Sequence, residues 1–148
     1  KLREEVMYGA FLSAIALMNS GTGPAAAMSY PLGVHFGVPH GIGGGIFLPH
    51  VIQHNIDAGF YDYSKLYNAG SITNSNQKSA IIFIEKVWEV WHKLNVPSNL
   101  RELGMSSEQH ISSFVADTMD LKQALDQNPV PFYENEINQT LVKLLNNK

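Results

Sequence analysis

Residues 76–94, NQKSAIIFIEKVWEVWHKL, set Ile81, Ile84, Val87, Trp88 and Trp91 on one stripe, with charged residues between them. That is the 3.6-residue period of an amphipathic helix. Almost nothing elsewhere in the chain reads as strand. A chain with helical periods and no strands has to bury helix on helix. The expectation is one all-α domain over residues 1–148, built of six to eight helices, and that length suffices for a single core.

The other segments fit that plan. Residues 1–19 read as one helix, with Val6, Ala10, Ser13, Ala14 and Leu17 on a small or apolar face. The glycines and proline of NSGTGP, residues 19–24, stop it. Residues 25–36 predict a short helix that either contains Pro31 or breaks there. After a second break at Gly37–Pro39, residues from His40 to about Asn55 repeat Ile42, Ile46, Phe47 and Val51 with almost no charge, which predicts a buried helix. Residues 57–70 read as a connector and a short helix. Ser106 is a candidate helix cap with Glu108 close behind, and a last helix is expected from about Glu134.

Composition narrows the partners. The formal net charge is −3, which points to neither nucleic acid nor an acidic membrane surface. The longest apolar run, Tyr8 to Met18, is shorter than the roughly 18 residues of a membrane helix. The mixed charge of KLREE before it does not suit a signal peptide. There is no cysteine, which excludes disulfides, thiolate zinc sites and cysteine nucleophiles and accords with a cytoplasmic protein. The chain opens on helical sequence without an initiator Met, and the expectation is a piece of a longer protein.

The chemistry concentrates around PHGIGGGIFLPH, residues 39–50. His35, His40, His50 and His54 fall within twenty residues of one another. His50 and His54 stand at i, i+4, a spacing that can hold a metal or simply put one histidine in the core and one at the surface. His40 opens a helix between a proline and a glycine; it reads either as a metal ligand or as an imidazole satisfied by local backbone. The run Gly43–Gly45 resembles a phosphate loop only superficially, because a dinucleotide fingerprint needs a strand before it. Inside a helix each such glycine costs about 1 kcal/mol relative to alanine. The residues then mark a close approach by backbone or ligand, or a soft helix. Tyr30 and Tyr8 are either polar groups in a cleft or half-buried packing residues.

Residues 19–55, NSGTGPAAAMSYPLGVHFGVPHGIGGGIFLPHVIQHN, resemble the C-terminal helical domain of the iron-containing (group III) alcohol dehydrogenases. The carriers are Pro31-Leu32-Gly33, Pro39-His40-Gly41, and Leu48-Pro49-His50-Val51 with Asn55, in the family's order and spacing. The segments LNVPSNLRELGMSSEQHI and NPVPFYENEINQTLVKLL are similar to that family's ending, so the resemblance covers nearly the whole chain.

The resemblance implies an NAD- or NADP-dependent alcohol dehydrogenase or aldehyde reductase for small alcohols or aldehydes, cytoplasmic and homo-oligomeric. It implies an N-terminal dinucleotide-binding domain, absent from this chain, and a cleft between the two domains. It also implies a divalent metal, iron or zinc, held by an aspartate and three histidines. By position His40 matches the last metal histidine, Tyr30 a catalytic position near nicotinamide and substrate, and His50 a supporting group behind the metal ligands. One departure stands out. The metal histidine expected fourteen residues before His40 falls on Ala26, which has no donor atom. The expectations are therefore a modified or metal-independent site, or a family member that lost the chemistry and acts in binding or assembly. A cyclase like the related dehydroquinate synthases ranks lower.

Overall fold

The computed structural model describes residues 1–67 and 76–147, and among them eight α-helices and no strand. The helices are α1 (Leu2–Ser20), α2 (Gly23–Phe36), α3 (His40–Asp57), α4 (Ser64–Tyr67), α5 (Asn76–Lys93), α6 (Ile111–Met119), α7 (Lys122–Leu125) and α8 (Glu134–Asn146). Two short 3₁₀ turns, Leu100–Leu103 and Glu108–His110, link α5 to α6. The all-α expectation and the helix number both hold. The part of the connector at residues 68–70 lies outside the described residues.

The main core forms where α2 and α3 pack on α6, α7 and α8. Ala27, Met28 and Leu32 of α2 and Ile46 and Phe47 of α3 are fully buried there, against Ile137 and Leu141 of α8. Phe47 meets Phe114 of α6 edge to face, centroids 6.0 Å apart. A second cluster lies on another side of α3, where Ile52 and Ile56 pack on Ala80 and Ile84 of α5. α3 is thus the shared wall of two apolar clusters, which is why its sequence is apolar and almost uncharged. It is not buried all round, since Ile42 and Leu48 are exposed.

Both proline-containing helices keep their course. Pro31 lies inside α2 and Pro49 inside α3. Pro49 has no N–H, so it cannot bond the carbonyl of Gly45 four residues earlier. The indole of Trp91 donates to that carbonyl instead, Nε1 to O 3.0 Å. A side chain of α5 thus repairs the backbone of α3. At the far end of α3, buried Asn55 donates to the Tyr63 hydroxyl (2.8 Å) and exchanges amide hydrogen bonds with Asn128 (3.0 and 2.7 Å).

Three local expectations are corrected. The stripe of α5 keeps Ile84, Val87, Trp88 and Trp91 inward but not Ile81, which is 41% exposed, while Ala80 beside it is fully buried. Small Ala80 and Ser79 let α5 close on its neighbours, and the bulkier isoleucine faces out. Ser106 does not cap a helix. Its carbonyl accepts from the Arg101 guanidinium (2.6 Å), which also bonds the Leu145 carbonyl (3.0 Å) and so ties this loop to the end of α8. Finally, α1 has no buried face. Val6, Ala10, Ser13, Ala14 and Leu17 are all exposed, as is every other residue of that helix. Its apolar residues are spread around the cylinder, and periodicity alone could not have shown that nothing covers them.

Candidate functional site

α2 supplies one side of the site and the start of α3 the other. α2 ends at Gly37, whose φ of 68° is a left-handed cap that returns an N–H to the Gly33 carbonyl. Val38 is buried, Pro39 precedes the next helix, and His40 is the first residue of α3. The reversal sets His40 back against the second half of α2. There its Nδ1 lies 2.8 Å from Ser29 Oγ, and its ring lies 5.3 Å from the ring of Tyr30. Ser29, Tyr30, Gly33, Val34, Val38 and His40 line an open cavity of about 300 Å³.

The glycine run explains how close the helices come. A Cβ on Gly43 would stand 3.1 Å from Ser29 Cβ and 3.3 Å from its Cα. Gly43 therefore marks a close approach of α3 to α2 at the residue that holds His40. Gly41 and Gly44 face open space, and Gly45 offers its carbonyl to Trp91. The run lies within α3 with no strand before it, so it forms no phosphate cradle.

Tyr30 also lines a second cavity of about 470 Å³ between the end of α1 and α7, with Thr22, Asp120, Gln123 and Gln127 among its walls. Gln127 fixes this corner by accepting from the Thr22 N–H at 2.8 Å. Half-exposed Tyr30 thus stands where two hollows meet, with its neighbour Ser29 buried behind it.

The structure separates His50 from His40. The two are ten residues apart on α3, about 15 Å along a helix axis. His50 meets Trp88 edge to face at 5.2 Å. Burial holds its imidazole down at about 4, and the Lys143 ammonium adds to this. His54 bonds the Pro131 carbonyl at 3.0 Å and packs on Phe132. His35 pairs with Asp117 at 2.5 Å, and His110 packs against Phe36. The structure thus brings together Tyr30 and His40 and leaves His50 elsewhere.

Among the described residues the donor set makes no metal site. Ala26 offers only a methyl group where a ligand was expected, and its carbonyl accepts from Ser29 Oγ at 2.7 Å. Among the described residues no three of His, Cys, Asp or Glu converge as metal ligands. Sequence reasoning missed Ser29, and of the readings it gave Gly43–Gly45 the close approach holds at Gly43. Ser29 lies within a recognised stretch, but only its distance in space to His40 gives it a part.

Comparison with known proteins gives a consistent result. The sequence profile described as the Fe-containing alcohol dehydrogenase family, C-terminal, matches residues 1–145. An NADPH-dependent butanol dehydrogenase of Clostridium saccharobutylicum is 30% identical over 108 residues, 72% of this chain and 28% of that protein. A lactaldehyde reductase of Escherichia coli K12 is 27% identical over 108 residues, 71% of this chain and 28% of the relative. A long-chain-alcohol dehydrogenase of Geobacillus thermodenitrificans is 25% identical over 138 residues, covering 91% of this chain and 35% of its own length. The chain thus spans about a third or less of the relatives it matches. A crystal structure of 1,3-propanediol oxidoreductase shares the fold, with a TM-score of 0.73 at 23% identity over 84% of this chain and 33% of that one.

Proposed function

The chain belongs to the Fe-containing alcohol dehydrogenase family and is its C-terminal domain, and from that membership we propose that it forms the helical wall of a reaction cleft in an NAD(P)-dependent oxidoreductase. The substrates are small alcohols or aldehydes. The observation that carries this reading is the Tyr30–His40 pair, two proton-bearing side chains with rings 5.3 Å apart on the wall of one cavity. Val34 and Val38 supply that cavity with apolar wall suited to a short carbon chain.

Nicotinamide supplies the hydride chemistry when bound. The glycine run inside α3 forms no cradle for its phosphates, and in this proposal the dinucleotide belongs to a separate N-terminal domain. The part of the present residues is to bind the substrate oxygen and to hold its proton. Tyr30 offers a hydroxyl that can donate to a carbonyl oxygen or accept from an alcohol, and His40 an imidazole that can take up the alcohol's proton and, once protonated, give it back. Ala26 removes one ligand of the family's metal, and His40 is the one family ligand that this chain's residues match; by itself it would hold a metal weakly, because catalytic sites need about three protein ligands. In this proposal the site is modified or metal-independent. A cytoplasmic homo-oligomer is part of the same proposal.

A second reading is favoured by Ala26 itself: a family member that lost the chemistry and acts by binding or assembly. One experiment separates the two. The longer protein that carries this domain is assayed with NAD and NADP on short alcohols and aldehydes, and titrated calorimetrically with iron(II) and zinc. The expected result is turnover that falls by about 10² in His40→Ala, with no stoichiometric tight metal binding. Absent turnover would select the second reading. Tight binding that vanishes in His40→Ala would show that another ligand has replaced position 26.

A further inference from the structure

We propose that Ser29 is a positioning residue that holds His40 as its Nδ1–H tautomer, so that His40 presents the Nε2 lone pair for chemistry. Two short contacts of one hydroxyl carry the argument. Ser29 Oγ lies 2.7 Å from the Ala26 carbonyl oxygen and 2.8 Å from His40 Nδ1. A hydroxyl has one hydrogen to give. The carbonyl can only accept, so that hydrogen goes to Ala26. What Ser29 has left for His40 is a lone pair, and the partner of a lone pair at 2.8 Å is an N–H. Nδ1 therefore carries the proton of the neutral ring and Nε2 is bare. The hydrogen bond at one imidazole nitrogen sets the tautomer at the other.

The arrangement is built rather than incidental. Ser29 is 1% exposed, so bulk water does not compete for its hydroxyl. Its position toward α3 depends on Gly43, where any Cβ would press on Ser29 Cβ and Cα. The carbonyl that orients the hydroxyl belongs to Ala26, the position whose side chain has no donor. A buried serine thus gives His40 a fixed proton arrangement without any side-chain ligand at position 26.

The use of Nε2 as proton acceptor or donor rests on the reaction cleft proposed above; the tautomer itself does not. The test reads the tautomer directly in the 148-residue chain. Histidine is labelled with ¹⁵N, and two-bond ¹H–¹⁵N correlations are recorded at a pH where the rings are neutral, with His40→Gln used to assign His40. The expected spectrum shows a pyrrole-type Nδ1 and a pyridine-type Nε2 for His40. In Ser29→Ala the pattern moves toward the Nε2–H form common in water, and Ser29→Thr, which keeps the hydroxyl, restores it. The other five histidines act as the check that each variant is folded. An Nε2–H His40 in the native chain, or an unchanged pattern in folded Ser29→Ala, would overturn the proposal. No turnover is measured, so failure of the dehydrogenase reading cannot produce either result.

Discussion

At Gly43 a single hydrogen decides how near α3 comes to α2. Alanine is the better helix former by about 1 kcal/mol, but at position 43 its methyl group would stand 3.1 Å from Ser29 Cβ, where neither helix can yield easily. At Gly44, also inside α3, nothing stands within 4 Å. Gly44→Ala is expected to stabilise the chain by about 0.5–1 kcal/mol, and Gly43→Ala to give no gain or a loss. Urea unfolding of the two variants compares them, and an equal gain in both would refute the close-approach account. His50 supplies a second test at this scale. Its folded-state value of about 4 lies below the usual 6.5. As pH falls below 6.5 the unfolded chain takes up a proton there that the folded chain resists until about 4. Stability is therefore complete above about 6.5 and is lost as pH falls toward 4, by at most about 3 kcal/mol. His50→Gln should flatten that part of the stability–pH curve. The resemblance to the family singled out His40, Tyr30 and the missing donor at Ala26, because it matches positions by residue type and order. It could not find Ser29, since a serine eleven residues from a histidine has no signature until two helices fold against each other.

Helices were legible wherever one face had a partner. α3, α5 and α8 begin and end close to where periodicity, glycine and proline placed them. What failed was finer. The choice between Ala80 and Ile81 as the inward residue turns on which neighbour α5 meets, and the role of Ser106 turns on the reach of Arg101. The repair of α3 by α5 lies at this scale too. Pro49 in sequence announces a free carbonyl at Gly45, but nothing in sequence names Trp91 as its donor. Trp91→Phe keeps most of the apolar ring and removes the N–H, and should cost about 1–3 kcal/mol. Pro49→Ala restores the backbone donor, so the cost of Trp91→Phe should shrink in that background. A double-mutant cycle by thermal or urea unfolding measures the coupling, and additive effects would mean that the indole does not replace the proline's missing bond.

Among the described residues, α1, the longest helix, contributes nothing to either apolar cluster. On α1, Phe11, Ile15 and Met18 stand at i, i+4 and i+7 and are 61%, 46% and 86% exposed. Exposed apolar side chains this large, with others spread around the same helix, favour association. The 148-residue chain is expected to self-associate with concentration in sedimentation velocity, and Phe11→Ser with Ile15→Ser to weaken it; a strictly monomeric chain at high concentration would count against this. By contrast, no helix among the described residues is long and apolar enough to cross a membrane. The overall plan was legible because helical periods with no strands leave few ways to build a core. The bareness of α1 was not, since a sequence shows which residues are apolar and not what lies against them.

The bond from Trp91 to Gly45 has one more consequence. An indole proton that is buried and held by a carbonyl of another helix cannot trade with deuterium in the solvent while α5 lies on α3. It leaves only when the two part. The rate at which that one proton is replaced by deuterium is thus a clock for the separation of α5 from α3, readable without altering any residue.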